Sequence, residues 1–259
     1  MKKLLIIVAI TLTTGVTAQQ DRHFSMFYAS PIEFNPAAAG LFPGKFQAFT
    51  NYRNQWSAIL PKFITTFTGS VDMKIYEKND SYIAGGLNFF NDVAGISKVK
   101  TGIYSASISY GLEVDRDQFI AVGFQPSLYQ RTIDVSPLTW STQWTGTDFN
   151  TAIASGEMIG TNNMMTFDLT AGIYYFGQLS DLFQLKGGVS MAHITSPKIG
   201  FIDSEERLYR KFTFYAGGDY TISHSKLGIA PNVFMFFQGP NREINFGADF
   251  KYYLKESSK

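Results

Sequence analysis

From residue 45 onward, apolar and polar residues alternate with a period of two, the signature of strands with two unlike faces. In Thr101–Leu112, Tyr104, Ala106, Ile108, Tyr110 and Leu112 share one face, and Ser105, Ser107 and Ser109 the other. Met165, Phe167, Leu169, Ala171, Ile173 and Tyr175 oppose Thr166, Asp168, Thr170 and Gly172. Phe212, Phe214, Ala216, Gly218, Tyr220 and Ile222 oppose Thr213, Tyr215, Gly217, Asp219 and Thr221. Near the end, Ile244, Phe246, Ala248, Phe250 and Tyr252 oppose Asn245, Gly247, Asp249 and Lys251, and Phe63–Ile75 repeats the pattern more weakly. The alternation predicts about ten strands, near 46–53, 63–75, 81–91, 99–113, 117–131, 163–177, 182–194, 208–222, 226–238 and 242–254. Most exceed the usual soluble strand of about 5–6 residues. They suit the roughly 9–11 residues that a tilted strand needs to cross a bilayer.

The links alternate as well. Short turns fall at Glu77–Asp80, Asp115–Asp117, Gln178–Asp181 and Ser223–Ser225, and long links at Thr132–Asn162 and Thr195–Arg207, with Gly239–Asn241 a short exception. Outer-membrane barrels have short periplasmic turns and long outer loops. A periplasmic N-terminus puts all four short turns on its own side. The polar face carries Ser, Thr, Gly and isolated charges (Asp72, Lys74, Asp168, Lys186, Asp219, Asp249), as a wet or polar-packed lumen requires. The predicted fold class is all-β, a transmembrane antiparallel up-and-down β-barrel. A secreted sandwich or soluble barrel would alternate too, but strand length and loop parity favour the membrane.

The first residues break this pattern. Met1-Lys2-Lys3 is basic, Leu4–Ile10 is apolar, and Val16-Thr17-Ala18 precedes a cleavage point. That is the layout of a secretory signal. Thr11, Thr13 and Thr14 cut the apolar run short of the roughly 20 residues of a membrane anchor. The expected organisation is residues 1–18 as signal peptide, 19–45 as an N-terminal periplasmic or plug segment, and 46–259 as the barrel. Loss of Lys2 and Lys3 leaves 20 basic residues against 21 acidic. This balance lacks the basic excess of a nucleic-acid binder, and the aromatic content of 16% excludes a disordered chain. The absence of cysteine removes disulfides, thiolate metal sites and a lipidated cysteine.

Catalytic signatures are missing. There is no Gly-x-Ser-x-Gly elbow, P-loop or His-Glu-x-x-His. His23, His193 and His224 are far apart in sequence, and strand parity puts His193 and Ser190 on opposite faces. No catalytic residue, cofactor or metal is expected, and the protein reads as no enzyme. Trp140 and Trp144 lie in the long 132–162 link, as an exposed recognition feature, packing that loop over the barrel mouth, or at the membrane interface.

The stretch before the first strand is more specific. It carries Gln20, Asp21, Phe24, Ser25 and Tyr28, then Asn35-Pro36-Ala37-Ala38-Ala39-Gly40, and the first strand adds Tyr52, Arg53, Gln55 and Trp56. These three motifs, in this order, resemble the PorP/SprF family of outer-membrane proteins associated with type IX secretion and gliding motility. Arg22 stands where the family prefers proline, and Met26 where it often has a polar residue. The resemblance implies an outer-membrane component that anchors or assists surface display of a secreted partner. Its implied partners are type IX secretion machinery proteins or a secreted surface adhesin, with outer-membrane lipids around it. It also implies a larger barrel, of fourteen strands, of which this chain supplies about ten. The polar lumen face taken alone suggests a passive porin-like channel for small solutes instead.

The same motif residues have a physical reading. Asn35-Pro36 favours a turn, and the alanines before Gly40 allow close backbone approach. Phe24, Phe27, Tyr28 and Phe34 suit a structural plug in the periplasmic end of the lumen, or a partner-binding patch. Arg53 suits a cation–π contact with its aromatic neighbours, or an ion pair with a lumen acid such as Asp72.

Overall fold

The computed structural model describes residues 21, 30–42, 44–59, 64–78, 80–157, 162–201 and 205–254. Ten strands follow one another: β1 (Phe46–Gln55), β2 (Ile64–Lys78), β3 (Ser81–Ala94), β4 (Val99–Asp115), β5 (Gln118–Thr132), β6 (Asn163–Ser180), β7 (Phe183–Ala192), β8 (Lys211–Thr221), β9 (Leu227–Gln238) and β10 (Asn241–Tyr252). Every predicted strand is present, with ends displaced by at most three residues. They form one antiparallel up-and-down sheet in the order β1 to β10. The sheet curls into a half-barrel, with β1 and β10 as its two edges among the described strands.

The two faces are inverted relative to a soluble protein. Along β4, Ser105, Ser107 and Ser109 are buried while Tyr104, Ile108, Tyr110 and Leu112 are exposed. Along β2, Thr66, Thr68, Ser70 and Asp72 are buried, and Phe67, Met73 and Ile75 are exposed. Phe246 and Phe250 on β10 are 86% and 84% exposed. Water would penalise such a surface by roughly 25 cal/mol for every Å² of it left uncovered. Hydrocarbon would not, and a lipid-facing apolar band over a polar interior is the arrangement of a membrane barrel.

Local irregularities have local causes. Three register shifts, at Lys74/Tyr76, Glu113/Asp115 and Gln178/Ser180, lie where strands enter the short turns. A bulge inserts one residue and breaks the two-residue phase, so Ile75 and Tyr76 are exposed together. Pro126 has no N–H to give the ladder, and the β4–β5 register skips from Ser105↔Ser127 to Ile108↔Phe124. Side chains bridge the gap on the inner face. Gln125 Nε2 donates to Ser107 Oγ (2.9 Å), and the Ser105 and Ser127 hydroxyls meet at 2.9 Å. Pro231 stands at a similar skip between β8 and β9.

The connections define two ends. Asp80, Arg116–Asp117, Asp181–Leu182 and Ile222–Lys226 lie at the turn end, as the parity predicts. The described residues 133–157, 193–201 and 205–210 of the two long links lie at the loop end, together with the short Gly95–Lys98 and Gly239–Pro240 connections. Residues 140–153 of the longer link are organised by Gln143, which is buried. Its Oε1 accepts from Trp140 N (3.0 Å), and its Nε2 donates to Ile153 O (2.9 Å). Trp144 packs on Phe149 with ring centroids 5.0 Å apart and stays about half exposed.

Candidate functional site

The half-barrel is not hollow. Residues 30–42 lie against its inner face as two 3-10 turns, Pro31–Glu33 and Pro36–Ala38. Each has a proline at its start, where φ is already suitable and no N–H is needed. Asn35 caps the second turn by accepting Ala37 N at Oδ1 (3.0 Å). Its amide donates to two strand carbonyls, Ile173 O on β6 (3.0 Å) and Val189 O on β7 (3.2 Å). The turn expected at Asn35-Pro36 is therefore also a cross-link between strands.

Neighbouring bonds stitch the segment to the wall. Gly40 N donates to Asp72 Oδ2 (3.0 Å), Ser109 Oγ to Ala39 O (2.8 Å), Ser190 Oγ to Phe34 O (2.5 Å) and Thr68 Oγ1 to Glu33 Oε1 (2.6 Å), while Ser30 Oγ meets Ser70 Oγ at 3.2 Å. Buried polar groups on both partners are satisfied in this way. An unpaired one would cost about 1–3 kcal/mol.

Glycines on the inner face make room for this segment. A Cβ on Gly123 would stand 2.4 Å from Ala37 N, one on Gly86 2.5 Å from Ile32 Cδ1, and one on Gly172 2.2 Å from Asn35 Oδ1. Ala37 and Ala39 are fully buried in the resulting groove, which is the close backbone approach expected of Ala37–Gly40. Around them lies the apolar core: Ile32, Ala84, Ala121, Tyr82, Tyr174, Tyr215, Phe234 and Phe236, with Phe34 against it. Phe34 sits 5.4 Å from the Tyr215 ring and 5.3 Å from that of Phe234, partly buried against this core. Phe24, Ser25, Phe27 and Tyr28 lie outside the described residues.

The first-strand motif sits elsewhere, at the loop end of β1. Tyr52 faces outward, Gln55 is exposed, and Trp56 stands at the rim, 58% exposed with φ of 65°. Arg53 points inward along the row Arg53↔Thr66↔Asp92 that crosses β1, β2 and β3. Its guanidinium donates to Thr66 Oγ1 (3.4 Å), and Thr66 donates to Asp92 Oδ1 (2.6 Å). The acid on this row is Asp92, not Asp72. Antiparallel register puts residue 92 opposite 66 and 53, whereas residue 72 pairs with Gln47, six positions along β1.

A charged cluster stands at the loop end. His193 Nδ1 meets Asp168 Oδ2 at 2.6 Å, and His193 Nε2 meets Asp21 Oδ2 at 2.8 Å. Lys211 Nζ lies 3.3 Å from the same Asp21 oxygen and 4.8 Å from the Phe236 ring centroid. Thr195 Oγ1 and Leu169 N both donate to Asp168 Oδ1. Burial disfavours the His193 cation. The Asp21 charge and the hydrogen bonds to both carboxylates outweigh it, and the imidazole is pushed up to about 9. Burial likewise opposes the Asp21 anion, but His193 and Lys211 hold it well below the usual carboxylate range.

Strand parity put His193 and Ser190 on opposite faces, yet both are buried inside. His193 has left β7 with φ of 56°, which turns its ring back into the lumen. Its partners are the two aspartates, while the Ser190 hydroxyl serves Phe34. The other described histidine, His224, sits in the β8–β9 turn beside Ser223, and His23 lies outside the described residues.

A sequence profile described as type IX secretion system membrane protein PorP/SprF matches residues 16–256. The chain belongs to the PorP/SprF family. It is thereby a membrane component of type IX secretion, associated with that machinery. Comparison with curated proteins and with solved structures yields no match. The motifs that carry the PorP/SprF resemblance divide between two places. Asn35, Pro36 and Gly40 shape the lumen segment, and Tyr52, Arg53, Gln55 and Trp56 form the loop end of the β1 edge. The sequence reading missed the gathering of Asp21, Asp168, His193 and Lys211. Its one available signal was Asp168, an acid on the polar face of a long strand.

Proposed function

We propose that this PorP/SprF chain is exported by a cleaved signal, sits in the outer membrane, and anchors or assists surface display of a secreted partner protein. The observation that carries this reading is the chain segment lying on the inner face of the half-barrel. Residues 30–42 bond to β2, β4, β6 and β7 across the inner face, where a solute channel needs a water-filled path. A wall whose inner face is covered by its own chain acts through its other surfaces. The structured 133–157 loop and the 193–201 link offer the outer surface to a secreted partner, and the turn end meets envelope proteins of the machinery. The reading is binding, without catalysis.

Deletion in the native cell tests it. Loss of secretion or surface display of one protein, with solute uptake unchanged, is the expected result. Purified protein that forms a stable, ion-selective open state in planar bilayers would instead establish the passive channel.

A further inference from the structure

The lumen segment has a direction. Its last described contacts before β1 are at the turn end, where Lys74 N donates to Lys45 O and Phe46 pairs with Met73. Further back in sequence, residues 30–40 wind around the inner face near mid-strand: Gly40 meets Asp72 and Ser30 meets Ser70 on β2, with Ala37 against Gly123 and Asn35 against Gly172 between them. Asp21 lies at the opposite end. Its three partners are Lys211, the first residue of β8, His193, the residue after β7, and through His193 Asp168, near the loop end of β6.

We propose that the N-terminal segment traverses the lumen from loop end to turn end and is latched at the loop mouth by Asp21, so that the chain enters the fold on the side of the long loops. This reverses the simplest expectation from β1, which starts at the turn end. The latch is a charge-balanced set: the Asp21 and Asp168 carboxylates against the His193 imidazolium and the Lys211 ammonium. All four side chains are largely shielded from water, so removing one charge leaves another buried without its counter-charge. Asp21 is the member that belongs to the segment rather than to the wall. It fastens a strap that the glycine groove alone would hold only at its middle.

The absence of native cysteine makes the test direct. Two double variants that leave all four latch residues in place are compared in the full chain, in membranes: Gln20→Cys with Arg210→Cys at the loop end, and Gln20→Cys with Lys226→Cys at the turn end. A short bifunctional maleimide is expected to bridge the first pair and not the second. Bridging of the second pair, or of neither in protein that retains its heat-modifiable barrel, overturns the traverse. A separate variant, Asp21→Lys, sets like charges together. It is expected to speed proteolytic removal of the N-terminal segment by about ten-fold or more, as loss of a charge-assisted bond of about 1.5–3 kcal/mol implies, with strands still protected. An unchanged cleavage rate overturns the latch while leaving the traverse to the crosslink. Neither outcome depends on the secretion role, because both positions are read against the two ends of the same barrel.

Discussion

Asn35 and Gly172 occupy one space: a methyl group on the glycine would stand 2.2 Å from the asparagine Oδ1 and 2.9 Å from its Cγ. That carbonyl oxygen caps the Pro36–Ala38 turn while the amide nitrogen ties β6 to β7. Gly172→Ala therefore evicts the cap rather than filling a void. The expected cost is about 1–3 kcal/mol, the range for overpacking. Asn35→Ala, which keeps the space and loses three hydrogen bonds, is expected to cost a similar amount. Because both act on one contact, the double variant should cost much less than the sum. Urea midpoints in detergent micelles measure all three, and simple additivity would show that the two residues do not share this contact.

The inverted faces make a second prediction. Ile108 lies near the middle of β4 and faces outward, about half exposed. In a soluble barrel an exposed isoleucine accepts arginine at little cost. At the midplane of a bilayer the same change costs about 2–4 kcal/mol. Ile108→Arg is expected to lower the yield of barrel folded into lipid vesicles by that measure. Glu113→Arg, near the turn end of the same strand, should change it little. Equal tolerance at both sites would contradict a lipid-facing β4.

The alternation made the wall legible. Side-chain period fixes which residues of β4, β6, β8 and β10 face in or out, and the turn residues mark where strands stop. The lumen segment was legible only in outline. Asn35-Pro36 and the alanines announced a tight turn, but the carbonyls that Asn35 reaches lie 138 and 154 residues away in sequence. Register across three strands selected Asp92 over Asp72 for the Arg53 row, and no local pattern contains that register. His193 defeated parity through one left-handed backbone angle, and period-two reasoning ends where the strand ends.

The Arg53–Thr66–Asp92 row links the β1 edge to two strands behind it. Thr66 is its hinge, since its hydroxyl accepts from Arg53 and donates to Asp92. Thr66→Val keeps the shape and removes both bonds around a fully buried carboxylate. A loss of about 1–3 kcal/mol is expected, concentrated as faster amide exchange in β1. Thr66→Ser should restore most of the protection. Exchange that rises uniformly over all strands would show that the row does not secure this edge.

The latch also sets a pH window. His193 holds its proton more firmly in the folded chain, at about 9 against an ordinary 6.5, because the Asp21 and Asp168 carboxylates outweigh the effect of burial. Its contribution is thus complete below about pH 6.5 and lost as pH rises through about 9. Asp21 is shifted the other way, below its ordinary 3.8, so its contribution is present above that value and lost on strong acidification. Among the described residues, Asp168, Lys211, Thr195 and the Leu169 N–H also face the pair. The N-terminal segment is therefore expected to stay protease-resistant near neutrality and to loosen between about pH 7 and 9. The loss should approach about 1.4 kcal/mol for each pH unit within that range. His193→Gln, which carries no titrating proton, should be weaker at pH 6 and flat across the same range. A wild-type profile as flat as that of the variant would show that His193 is not the charged centre of the latch.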